Sequence, residues 1–357
     1  MLLKKQKWLY ISILVSLWLI YFLYRVIDGL QLISDEVFYI TQDISLENKR
    51  ILFLSLAQYF SKVETAQIVI PILNLFAVLI SFIYLSKINF YNYTATFFQL
   101  IYFSGVATYI FRDSFILMLI ILFFYIVFKQ KMTINLSLLK KTTGLSFLML
   151  IAVFYLMIYM RPQYAILLLV SWLIASILIK SPIMLIVATL TSCLSLFLLI
   201  NYNPDLFNIY GISIYDFVAS RADRHGVEFT FSDSIVGFFK HFLAPIPTSL
   251  ISRMMDPTIW NDYGIIDDVY RFIYKSYLYF CLIYIALNFN IIKEVLMRWK
   301  FEGFFLLSFS LSNAFVYTLF SFGGGHERTK IFSVFAIFFI YTGIVHIKQQ
   351  RALVLRK

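Results

Sequence analysis

The residues of this chain best suited to chemistry stand at the ends of long apolar runs. Asp35 and Glu36 lie in "LISDEVFYITQ", Arg112 and Asp113 in "YIFRDSFILML", and Arg161 in "YMRPQYA". Arg221 and Arg224 lie in "SRADRHGVEF", and His326, Glu327 and Arg328 in "GGGHERTK". A guanidinium stays charged at any physiological pH and offers a planar fork of donors that fits phosphate. A carboxylate or an imidazole can take a proton from a hydroxyl. The set suits transfer chemistry on a diphosphate. Arg112, Arg161 and Arg328, with Arg221 and Arg224, would hold and neutralise the diphosphate. Asp35, Glu36, Asp113, His326 and Glu327 are the candidate acids and bases.

Each motif also has a plainer reading. The three glycines of "GGGHERTK" let the backbone bend sharply and approach another group closely, but the stretch would equally serve as a solvated hairpin. Asp35 and Glu36 are sequence neighbours and cannot share a helix face. One of them is expected to point into a site, or the pair simply complements a helix start. The apolar Val37, Phe38 and Ile40 suggest a short helix lying in the membrane interface. Asp113 is expected to pair with its neighbour Arg112, or to add a second acid to the same pocket. Arg161 either snorkels or binds an anion, and Pro162 fits the first turn of the next helix. Residues 234–244 suggest a second interfacial helix, either guiding a lipid-linked substrate or capping the bundle.

These residues need elements to position them, and the composition says which. The 357 residues are 61% hydrophobic and only 14% charged, with mean hydropathy +0.83, too apolar for a soluble core to hide. The expected class is an all-α, polytopic membrane protein of about ten transmembrane helices. The apolar runs fall at about 8–26, 65–86, 93–111, 114–128, 143–160, 163–179, 183–200, 270–290, 303–320 and 331–347. Two longer outside loops, about 27–64 and 201–269, complete a single membrane domain over 1–357. The basic start followed by a long apolar stretch, with no small-residue cleavage site, reads as an uncleaved first span. Cys193 and Cys281 fall inside apolar runs and read as buried thiols.

Orientation follows from the basic residues. With both termini inside, 16 of the 30 Lys and Arg fall on the cytoplasmic side, against only 2 of the 19 acids. The formal charge of +11 is therefore a topology signal and not a nucleic-acid footprint. The candidate site residues then all meet the outer face, at five separate places in the chain. Ionisable groups at membrane depth are costly and point to function. The sequence holds no GxxxxGK[ST] loop, no HExxH and no GxSxG elbow, which excludes ATP-driven transport and the common zinc-protease and serine-hydrolase arrangements. A secondary transporter would bind near the bilayer midplane with repeat symmetry. No repeat is visible, and no charge is expected near a helix centre.

An acidic pair just after the first span, followed by many helices with an outward site, resembles the GT-C superfamily of polyprenyl-phosphate-dependent glycosyltransferases. The "FRDSFILMLIILFFYIVFK" and "RPQYAILLL" segments and the late "GGGHERTK" turn are similar to Wzy-type polymerases of O-antigen or capsule repeat units. The likeness is one of architecture over most of the chain, carried by motifs of two or three residues. It implies a bacterial inner-membrane enzyme acting on undecaprenyl-diphosphate-linked oligosaccharides at the periplasmic face. Arg161 and Arg328 would hold the donor diphosphate, Arg112 would assist, and Asp35 or Glu36 would activate the acceptor hydroxyl. A polymerase needs no cofactor, whereas a GT-C transferase adding one sugar would admit a divalent metal. A chain-length regulator is an implied partner. The chain departs from both patterns: Wzy-type polymerases rely on arginines without the acidic motif, and larger GT-C transferases carry a soluble C-terminal domain. A flippase or transporter is the reading from another class.

Overall fold

The computed structural model describes residues 2–41, 51–60, 62–88, 91–129, 144–178, 208–209, 212–213, 238–239, 243, 255, 264–321 and 327–354. Among these the chain is helical, apart from one antiparallel pairing of two-residue strands, β1 (Asn208–Ile209) and β2 (Ile212–Ser213). The helices are α1 (Leu2–Ile27), α2 (Ser34–Thr41), α3 (Ile51–Gln58), α4 (Val63–Leu85), α5 (Tyr93–Val106), α6 (Asp113–Lys129), α7 (Gly144–Met160) and α8 (Pro162–Leu178). After the strands come α9 (Gly264–Leu287), α10 (Phe289–Arg298), α11 (Lys300–Ser321), α12 (Glu327–Ser333) and α13 (Phe335–Val354).

Helix occupies nine of the ten apolar runs in whole or in part, and the run 183–200 lies outside the described residues. By length and apolar composition, Gln6–Ile27 and Val63–Leu85 could each cross a bilayer, and Asp268–Leu287 with Phe289–Arg298 adds a third if they form one broken span. Gly144–Met160 and Pro162–Ser176 are shorter apolar helices. The described helices thus supply two or three crossings by this measure, fewer than ten. The α2 helix forms where the acidic pair predicts one. Of the second expected interfacial helix, only Phe238, Phe239 and Leu243 are described.

The chain divides into two compact units. The first comprises Met1–Ile166, Ile246–Leu287 and Tyr341–Lys357. Within it α6 is almost wholly buried and packs on α4 and α7, while α5 packs on α1 and α9. Local signals fix the helix ends. Asn92 caps α5 by accepting the Ala95 N–H at 2.7 Å. Asp113 and Lys129 sit at the ends of α6 that favour their charges. Pro162 opens α8, as its fixed φ and missing N–H allow. The α1 helix closes through Gly29, at φ 78°, with the Leu30 N–H returning to Arg25 O at 2.8 Å. Leu19, Ile20 and Leu23 of α1 and Leu148, Ile151 and Tyr155 of α7 stay exposed, the kind of surface lipid covers. Cys281 is buried and forms no disulfide.

The second unit comprises Leu167–Pro245 and Asn288–Ile340. In it α12 packs on α11, where Asn313 Nδ2 donates to Ser333 Oγ at 2.6 Å. The break between α12 and α13 is closed by Ser310 Oγ, which accepts the Ala336 N–H at 3.1 Å.

Packing of α5 on α9 depends on Gly105. A Cβ there would stand 2.7 Å from Tyr270 Cδ2, on a ring whose hydroxyl donates to Leu17 O at 2.6 Å and cannot swing away freely. Gly105→Ala should therefore destabilise the protein by about 1–3 kcal/mol. Thermal unfolding in detergent measures this, and Tyr270→Leu in the same background should recover part of the loss.

Candidate functional site

The segment between α5 and α6, residues 107–112, is buried throughout, yet it is a turn. A buried turn must find partners for its backbone groups, and here they come from three other elements. The Tyr109 carbonyl accepts from Phe111 N–H at 2.9 Å and from Asn74 Nδ2 of α4 at 2.8 Å. The Thr108 carbonyl accepts from Arg25 Nη1, near the end of α1. The Ile110 N–H donates to Glu36 Oε1 of α2 at 2.8 Å.

Arg25 and Glu36 are themselves a buried pair, 5% and 0% exposed. Arg25 Nη2 donates to Glu36 Oε2 at 2.7 Å and Nη1 to Oε1 at 3.2 Å. Its Nη2 also reaches Gln31 O at 3.2 Å, and the guanidinium lies 4.0 Å from the centroid of the Tyr109 ring. Glu36 Oε2 accepts the Ile33 N–H at 3.2 Å, the reach-back half of a capping box that starts α2. The Tyr109 hydroxyl is hydrogen-bonded to that of Tyr21. One carboxylate thus takes four N–H donors and joins α1, α2 and the turn.

The next residues of the chain carry the second half of the cluster. Arg112 is buried, and its Nη1 donates to Met160 O at 2.7 Å, satisfying a carbonyl at the C-terminus of α7. Asp113, in the first turn of α6, accepts from Arg161 Nη1 at 3.2 Å. Sequence adjacency favours a pair between Asp113 and Arg112; the structure gives Asp113 an ion pair with Arg161, 48 residues further on. Side chains at i and i+1 diverge, so a distant partner meets Asp113 more readily. The guanidinium of Arg161 stands 5.4 Å from the Tyr164 ring centroid. At 18% exposed, its side chain is more open than that of Asp113, at 6%.

The structure therefore brings together Arg112, Asp113 and Arg161, and links them to Glu36 through the turn. Asp35 lies in α2, and Glu327 begins α12; their side chains are outside the described residues. Arg328 is half-buried on α12, in the second unit. His326, Arg221 and Arg224 lie outside the described residues. Among the described residues no three His, Cys, Asp or Glu side chains gather as metal ligands. Glu36 spends its oxygens on N–H donors, and Asp113 faces a guanidinium, so neither is arranged as a cation ligand.

Sequence reasoning missed Arg25, whose signal was an arginine at the end of the first span, eleven residues before an acid. It also missed a charged stripe on α9, Asp268, Arg271 and Lys275, spaced i, i+3 and i+7 in "DDVYRFIYK". Arg271 Nη1 lies 3.6 Å from Asp268 Oδ1, and its guanidinium is 5.7 Å from the Tyr102 ring centroid. Lys275 is fully buried within a candidate span, which corrects the expectation that no charge stands well inside a helix. Comparison of the chain with family models, curated proteins and solved structures gives no match.

Losing one member of a buried ion pair strands the other charge and costs about 3–5 kcal/mol. Arg25→Met should accordingly unfold or strongly destabilise the protein. Replacing both residues, as Arg25→Met with Glu36→Met, should be milder than Arg25→Met alone. Thermal melts of the two variants in the same detergent make the comparison.

Proposed function

We propose that this protein is a bacterial inner-membrane glycosyltransferase of surface polysaccharide assembly, a repeat-unit polymerase acting at the periplasmic face. It would cross the membrane about ten times with both termini in the cytoplasm. The observation that carries the reading is the cluster of Arg112, Asp113 and Arg161, gathered where α5, α6, α7 and α8 meet and braced by Arg25 and Glu36. Two fixed cations and one acid at the ends of apolar helices suit an anionic headgroup whose lipid tail lies alongside.

The chemistry asks little of the protein beyond placement and charge. The donor is a sugar chain on undecaprenyl diphosphate, already a good leaving group. An acceptor hydroxyl on the next lipid-linked repeat unit attacks the anomeric carbon. The new glycosidic C–O bond forms as the C–O bond to the diphosphate breaks, and the hydroxyl proton passes to a base. The diphosphate departs with its lipid, and its developing charge needs preorganised donors. Arg161, the more open cation of the two, would contact the diphosphate, with Arg112 holding its approach. Glu36 already has four donors, so Asp35 takes the base role in this scheme, and Glu36 positions α2. No nucleotide is required, and a chain-length regulator is the protein partner such an enzyme would use.

One observation favours a different class. Lys275, buried inside a candidate span, is the kind of residue a transporter places on its path. The surface polysaccharide of a strain lacking the gene separates the readings. A polymerase leaves a single repeat unit on its anchor, with no ladder. A GT-C transferase adding one sugar from a polyprenyl-phosphate donor leaves a full ladder with that sugar missing. A flippase leaves neither ladder nor single unit at the surface, with lipid-linked units held inside.

In the complemented strain, Arg161→Ala should lower polymer output on the order of 10²-fold or more, with the protein still inserted. Arg161→Lys should recover only part, because the ammonium lacks the planar fork. An Arg161→Ala strain with a normal ladder would remove Arg161 from the mechanism.

A further inference from the structure

The ten-residue helix α10 is set apart at both ends. Asn288 (φ −125°, ψ 30°) and Trp299 (φ −121°, ψ 57°) leave the helical region, so the chain breaks before Phe289 and after Arg298. Ten helical residues reach about 15 Å, roughly half the hydrocarbon thickness of a bilayer, so α10 cannot cross it. Its inner face is settled: Ile291 and Val295 are buried, and Leu296 Cδ2 stands 3.2 Å from where a Cβ on Gly303 would be. The outer face is mixed. Phe289 is 76% exposed and Met297 48%, with the exposed Lys293 midway between them at helical spacing. Arg298 is exposed beside them, its guanidinium 5.2 Å from the Trp299 ring centroid, and Lys300 follows. From Phe289 to Lys300 there are three cations and one acid, Glu294.

We infer that the outer face of α10 docks into the headgroup layer of the bilayer and binds anionic phospholipid there. Phe289 and Met297 enter the acyl boundary, as the apolar side of an interfacial helix does. Lys293, Arg298 and Lys300 take the lipid phosphates, which a cytoplasmic leaflet rich in anionic lipid supplies. Sequence orientation places this segment on that side of the membrane. Charge complementarity singles out the occupant: a neutral lipid surface would satisfy Phe289 and Met297 but offer no net charge to the three cations. The inference stands apart from the glycosyl-transfer reading, since it concerns the second unit and needs no substrate.

The test uses the full chain with Cys193 and Cys281 replaced by Ala and a bimane label on Met297→Cys. It is reconstituted in vesicles mixing phosphatidylglycerol and phosphatidylcholine, with one lipid or the other brominated at equal mole fraction. Brominated phosphatidylglycerol should quench the label about twofold more strongly than brominated phosphatidylcholine, as expected for basic residues at an anionic surface. High salt should shrink that preference, and so should joint Lys293→Gln, Arg298→Gln and Lys300→Gln. The comparison between lipids needs no charge variant, so it stands even if the triple variant folds poorly. A label on Phe289→Cys should repeat the result. Equal quenching by both lipids would overturn the anionic site. No quenching by either would show that α10 faces water or a protein partner, and would overturn the membrane docking itself.

Discussion

The first unit is organised around one buried carboxylate. Glu36 accepts two hydrogen bonds from Arg25 and two from backbone N–H groups, and has no contact with solvent. Burying either charge alone would be prohibitive, and a buried pair stabilises little over well-packed apolar groups. What the pair supplies is a fixed geometry. Through it the end of α1, the start of α2 and the α5–α6 turn share one junction. The Tyr109 ring under the guanidinium and the Asn74 amide on the Tyr109 carbonyl hold the same turn from two other sides.

Placement then passes along the chain. With residues 108–110 fixed, Arg112 and Asp113 have little freedom left. Arg112 meets the last carbonyl of α7, and Asp113 meets Arg161 one residue beyond it. Both contacts satisfy helix ends that would otherwise carry orphan groups or unbalanced dipoles. The cluster leaves Arg161 partly open. An arginine oriented by a carboxylate and an aromatic ring, with its side chain partly exposed, is the basis of the proposed diphosphate role.

Much of this was legible in the sequence, and the failures have physical causes. Apolar length located α4, α6, α7 and α8 to within two residues and the end of α1 to within one, and "MRPQ" announced the α7–α8 break, because Pro162 can open a helix there. The run 93–111 looked like one span, but α5 ends at Val106. Its last five residues are as apolar as the helix and differ only in having long-range partners for their backbone, which no local pattern reveals. The breaks at Asn288 and Val334 likewise fall inside long apolar runs. The acidic pair pointed to the right helix, yet the partner of Glu36 is Arg25, eleven residues earlier, which no local pattern singles out. Lys275 was missed because the apolar neighbours in "YRFIYKSYLYF" outweigh its charge in a hydropathy window.

The central claim is that this chain joins lipid-linked repeat units. The most direct measurement is reconstitution of the purified protein in vesicles with the undecaprenyl-diphosphate-linked repeat unit of its own host. The released glycans are then read by mass. The proposed mechanism predicts a series spaced by one whole repeat unit, formed without nucleotide and lost in the Arg161→Ala protein. Products lengthened by a single sugar, or units moved across the bilayer without lengthening, would contradict it.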